Sequence, residues 1–130
     1  MNKDKSILLS LHPDFALKIL EGKKRLEFRR RFPILPTGTK VYIYATKPVG
    51  KILGECQILS IKKIEAQFAD FYIQKSGDNR EEVLNYIRGL QEFIVLEIRN
   101  PIKLNEPAFI QDLFSEIKRA PMSFCYVPNK

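Results

Sequence analysis

Phe93-Ile94-Val95-Leu96-Glu97-Ile98 is the stretch that most limits what this chain can become. A nearly unbroken apolar run of strand length, rich in β-branched and aromatic residues, belongs in the middle of a sheet with both faces covered. The rest of the chain must therefore supply flanking strands and something to pack on each face. Ser6 to Leu11 (SILLSL) reads as one such strand, and Arg25 to Arg31 alternates as a second, with Leu26 and Phe28 on one face and Glu27 and Arg29 on the other. Lys40 to Thr46 reads as a third, Lys51 to about Ile64 as a long fourth, and Ser123 to Val127 as the last. Gly54 inside the long segment marks a bulge or a close approach of another part of the chain, and Pro101 is expected to bend the central strand.

Short helices fill the gaps. His12-Pro13-Asp14 opens one with proline at its first position; Phe15, Ala16, Ile19 and Leu20 form its apolar stripe, and Gly22 stops it. Residues 65–75 read as a weaker helix. Asn79-Arg80-Glu81-Glu82 resembles a capping box opening a better one through Val83, Tyr86 and Ile87. Pro107 is expected to start a short helix carrying Phe109, Ile110, Leu113 and Phe114. The pattern predicts an α+β fold of about five to six strands flanked by short helices, with residues 1–130 as a single domain.

Ordinary globular composition, 45% hydrophobic and 28% charged, argues against disorder. No apolar run is long enough to cross a bilayer, and Met1 to Lys5 leads into a segment too short for a signal-peptide core, so the expected setting is the cytoplasm, without a membrane. Cys56 and Cys125 each stand alone among apolar residues, with no spacing for a disulfide framework or a zinc site. No carboxylate cluster, phosphate loop or nucleophile elbow is present, so neither a metal nor a cofactor is expected. His12 is the only histidine and is expected to cap the helix that follows it.

The net charge of +7 is uneven. Residues 1–63 carry +9 and residues 64–130 carry −2, and the segment Lys23 to Arg31 holds six basic residues and one acid. One reading is a solvated edge strand protected from aggregation by like charge. The other is an anion-facing strand whose guanidinium groups fork onto phosphate oxygens. Glu27 decides more than the arginines, because a carboxylate repels phosphate and needs another partner, either Arg29 or Lys24 beside it or a ligand. Tyr42, Tyr44 and Thr46 share a strand face; such tyrosines either stack exposed bases or pack inside a small barrel.

Three ordered blocks carry a resemblance. Ser10-Leu11-His12-Pro13 with Ala16, Ile19 to Lys24 and Glu27 to Arg31 resembles the opening motif of ASCH domains, members of the PUA-like superfamily. Tyr44 to Val49 with Lys51 to Glu55 resembles the next block of the bacterial and phage branch, and Ala120 to Tyr126 its closing block. The resemblance implies a small PUA-like β-barrel with a cleft between barrel and first helix. Lys24, Glu27 and Arg29 would lie at that cleft, and Thr46, Ser123 and Phe124 would complete its wall.

It also implies binding of RNA or of a modified nucleoside or nucleotide, and leaves a regulatory role open. Lys23, Arg25, Arg30, Arg31, Lys47 and Lys51 would engage the nucleic-acid backbone. Some bacterial ASCH proteins are amidohydrolases acting on acetylcytidine, with a lysine, a threonine and a glutamate. Here Lys24 matches the lysine, but Glu27 replaces the threonine, and only Asp70 and Asp78 stand near the glutamate's place. No catalytic residue is therefore assigned; Lys24 and Glu27 would serve in a hydrolase. A protein-interaction domain is the remaining alternative.

Overall fold

The computed structural model describes residues 5–129; residues 1–4, read above as part of the chain's start, and Lys130 lie outside them. In chain order the elements are β1 (Lys5–Leu11), α1 (Pro13–Leu20), β2 (Leu26–Arg29), β3 (Lys40–Ala45) and β4 (Lys51–Glu65). A 3-10 turn (Ala66–Phe68) leads into α2 (Ala69–Ser76), followed by α3 (Arg80–Tyr86), β5 (Glu92–Ala108), α4 (Ile110–Leu113) and β6 (Phe124–Pro128).

One six-stranded sheet runs in the order β2-β5-β4-β3-β1-β6. Its pairs are antiparallel except β1 with β3, which are parallel because α1 and β2 intervene between them in the chain. Phe93 to Ile98 lies where the run demands, between β2 and β4, with Phe93 to Leu96 and Ile98 buried. Three apolar clusters cover the sheet. α1 lays Ala16, Ile19 and Leu20 against β1, β3, β4 and β5. α2 and α3 bring Ile73, Val83 and Ile87 onto Phe28 and Phe93. Ile110 and Phe114 close over Leu8, Tyr42 and Tyr44. The two tyrosines are thus core residues, Tyr42 meeting the Phe114 ring edge-on at 5.1 Å.

The helix signals act locally. His12 Nδ1 accepts a hydrogen bond from the Asp14 amide (3.3 Å), and Asn79 Oδ1 accepts one from the Glu82 amide (3.0 Å), so both caps form as their residue types require. Gly54 is a place of close approach: a Cβ there would meet Leu20 Cδ2 at 2.6 Å and the Ile102 carbonyl oxygen closer still. It is also a place of irregular register, since Ile43 faces Gly54 while the next residue, Tyr44, faces Ile52.

Two expectations are corrected. Pro107 does not start the next helix: β5 runs through Pro101 and Pro107 to Ala108, and the helix begins only at Ile110. β2 pairs β5 only across Ile94 to Glu97, so farther along β5 has β4 on one side alone, and a residue without an N–H is tolerated there. The strand absorbs Pro101 by a register shift against Glu55 and Gln57, with Asn100 in the left-handed region at φ 54°. The second correction is the length of the basic strand: Arg25, Arg30 and Arg31 fall outside it.

The sheet is barrel-like but not closed: among the described residues no strand pairing joins β2 to β6. Arg29 spans this seam. Its Nη2 donates to the Ser10 carbonyl of β1 (3.0 Å) and its Nη1 to the Ser123 hydroxyl just before β6 (3.1 Å).

Candidate functional site

Beside the seam lie four buried charges. Lys24 follows the glycine that ends α1, and its side chain, 2% exposed, donates from Nζ to the Leu26 carbonyl (2.6 Å) and to Asp78 Oδ2 (2.6 Å). Glu27 Oε1 is 3.6 Å from the same ammonium. Arg29 Nε stands 3.1 Å from Glu27 Oε2, close enough for an ion pair, although its N–H does not point along that line and finds no hydrogen-bond acceptor. The side chains of Glu27, Arg29 and Asp78 are each 8% exposed. Two anions and two cations balance, which is what burial of this much charge demands, since each ion costs several kcal/mol to desolvate.

Asp78 is held from its own side by Ser76, whose hydroxyl donates to the Ile73 carbonyl (2.7 Å) and accepts from the Asp78 amide (3.0 Å). Burial pushes the Glu27 carboxyl up from its ordinary value. Arg29 and Lys24 pull it back, and Asp78 adds to the rise.

Above these charges opens a cleft of about 310 Å³ between the end of β1, the start of α1, β2 and α3. Glu27, Arg29 and Asp78 form its ionic floor, and Phe15, Phe28 and Tyr86 give it aromatic walls. His12 and Glu82 stand exposed at its rim, with the His12 ring edge-on to Phe15 at 6.1 Å. Such a space admits a flat, uncharged ring carrying hydrogen-bond donors and disfavours phosphate, because three carboxylates line it.

Of the residues expected at the cleft, Glu27 and Arg29 line it, while Lys24 is buried and holds Asp78 and Glu27 without lining it. Ser123 reaches the site through Arg29. Thr46 binds the cleft-lining Leu11 through its amide (2.9 Å) but does not line the cleft, and Phe124 packs on Phe32 with ring centroids 4.8 Å apart.

The expected backbone contacts are scattered. Lys23 pairs with Glu21 at 3.3 Å, Arg25 and Lys47 are exposed, and Lys51 lies 4.8 Å over the Phe109 ring. Arg30 lies flat on the Tyr86 ring at 4.3 Å and donates from Nε to the Tyr86 carbonyl (2.8 Å), with Arg31 exposed next to it.

Sequence reasoning placed Phe15 in a core stripe and gave Tyr86 no role beyond the helix; both are half-buried cleft walls. Asp78 joins the floor, whereas Asp70 pairs on the surface with Arg80 at 2.7 Å. Among the described residues no three His, Cys, Asp or Glu side chains are placed to hold a metal ion, and no helix is long and apolar enough to cross a membrane. Both cysteines are free; burial pushes the Cys56 thiol up to about 12, far from a reactive thiolate.

Comparison with known proteins bears on the whole arrangement. The chain is 46% identical over 108 residues to the ASCH domain-containing ribonuclease of Zymomonas mobilis, covering 78% of this chain and 73% of that one. Its fold matches the crystal structure of ASCH from Zymomonas mobilis with a TM-score of 0.85 at 24% identity, over 94% of this chain and 87% of that one. The N-terminal domain of Staphylothermus marinus McrB shares the fold more distantly, with a TM-score of 0.55 at 10% identity over 96% and 88% of the two chains. The ASCH domain model matches residues 9–108, and the chain belongs to the ASCH domain family.

Proposed function

We propose that this protein binds RNA, acting as one domain over its 130 residues in the cytoplasm and holding one exposed base in the cleft. The observation that carries this reading is the cleft itself, with aromatic walls from Phe15, Phe28 and Tyr86 over a buried Glu27–Arg29 floor. Aromatic faces stack any base, and a buried carboxylate accepts from ring or exocyclic N–H groups. Lys24, Thr46, Ser123 and Phe124 support that floor and wall. Lys23, Arg25, Arg30, Arg31, Lys47 and Lys51 supply the positive field that draws in the backbone. The 46% identical relative described as a ribonuclease makes RNA the polymer to test first.

Fluorescence anisotropy with a labelled single-stranded RNA of about 12 nucleotides tests this. The expected result is binding that weakens steeply with salt, with Glu27→Gln changing the preference among RNAs of different base composition. Absence of binding at low salt would overturn it.

A second reading, cleavage of the bound strand, is favoured by the same relative. Glu27 is its best-placed proton-transfer group, buried in the cleft with a raised carboxyl. Denaturing gels of end-labelled RNA test it, and no shortening beyond a Glu27→Gln control sinks it. The amidohydrolase alternative has less support, because the Lys24 ammonium is occupied with Leu26 and Asp78. Incubation with acetylcytidine, read by chromatography, decides that case.

A further inference from the structure

A second cavity, of about 270 Å³, lies beside the first and has the opposite electrical character. Arg30, Arg31 and Lys63 line it, with Glu92 as its single acid. Lys63 comes from the far end of β4, more than thirty residues along the chain from the arginines, so only the fold brings these three cations together.

The two cavities share a partition. Tyr86 lines the cleft, and Arg30, which lines the second cavity, lies flat on that ring and is locked to its carbonyl through Nε. This leaves the two terminal nitrogens of Arg30 without a hydrogen-bond or ion-pair partner among the described residues. The side chains of Arg31 and Lys63 likewise have none. Clustered like charges repel, and a fold that orients one of them by a stack and a hydrogen bond while neutralising none is arranged for an anion. On the other side of the partition Glu27, Asp78 and Glu82 repel one.

We propose that Arg30, Arg31 and Lys63 bind the phosphate adjoining the base held in the cleft, so that the ligand is a single strand of RNA and not a free nucleoside. This rests on the RNA-binding reading above and narrows it: the strand crosses the Arg30–Tyr86 partition, base on one side and phosphate on the other. A free nucleoside carries no charge for the second cavity to recognise.

The test is anisotropy titration of the same labelled RNA between about 50 and 200 mM salt. Wild type is compared with Arg31→Ala/Lys63→Ala and with Lys103→Ala/Lys118→Ala, an exposed pair of equal charge that lines neither cavity. Arg31→Ala/Lys63→Ala is expected to flatten the slope of log affinity against log salt by about 0.7, the share of one lost phosphate contact on a single strand, and the control pair to leave it unchanged. Equal slopes for the two double variants would overturn the phosphate site while leaving RNA binding by the wild type intact. Displacement of the RNA by free nucleosides at matching concentration would overturn the preference for a strand. Failure of the wild type to bind RNA at all would remove the parent reading together with this one.

Discussion

Lys24 and Arg31 belong to the same basic segment, yet they live under different physics. Lys24, with Glu27 and Arg29, is buried and paired; the contacts of Lys24 hold β2 and the turn before α3, and those of Arg29 the β1–β6 side of the seam. Arg31, with Arg30 and Lys63, lines the second cavity, whose single acid, Glu92, forms no ion pair with any of them. Buried charges are dangerous to remove one at a time, because the survivors are stranded in a low dielectric. Exposed unpaired charges contribute little to stability and are free to act on a ligand. The difference teaches that the charge of this segment is of two kinds, paired beneath the cleft and unpaired beside it.

The comparison breaks most readily at Lys24. Lys24→Ala leaves Asp78 and Glu27 buried without their shared cation, and is expected to cost about 3–5 kcal/mol in urea unfolding. A loss no larger than that of a rim residue would erase the distinction between floor and rim. A double-mutant cycle with Asp78→Asn sharpens the point, with a coupling of about 0.5–3 kcal/mol expected for partners in one network.

Arg29→Lys comes next. It keeps the charge but cannot fork to both Ser10 and Ser123, and about 1.5–3 kcal/mol should be lost. Glu27→Gln probes the floor through pH. Because burial raises the Glu27 carboxyl, the folded protein holds that proton more tightly than the unfolded chain does. Its contribution is therefore greatest below the ordinary value of 4.5 and falls as pH rises from there through the raised value. The melting temperature of the wild type relative to Glu27→Gln should accordingly drop with rising pH across that window and level off above it; a rise would show that ion pairing outweighs desolvation. The smallest effect is expected at Arg31→Ala, within about 0.5 kcal/mol of wild type in the same urea measurement.

Local physics made much of the fold legible. His12-Pro13 and Asn79 carry their helix starts in their own side chains, and the run Phe93 to Ile98 announces an interior strand. Gly54 signals a close approach without saying to what, and the answer, Leu20 and Ile102, comes from elements far apart in sequence. The reach of β5 through two prolines was not legible, because it depends on which strand leaves one side unpaired. Within the site, Glu27 and Arg29 stood out as an acid and a base on one strand face, but alternation alone would leave that face in solvent. Lys24 reads as a cation at a helix end; its burial follows from Asp78, 54 residues on. Phe15 and Tyr86 follow helical spacing and so resemble core, and only the space between α1 and α3 turns them into walls.

The seam has a mechanical consequence. A ladder of main-chain bonds would fix the spacing of two strands along their whole length, whereas the fork of Arg29 ties β2 to Ser10 and Ser123 at one point. The clearance between these edges is thus set by side chains, the Arg29 fork and the Phe32–Phe124 contact, and can vary without unzipping any pair of strands. Thermal breathing of the molecule should concentrate there, beside the floor of the cleft.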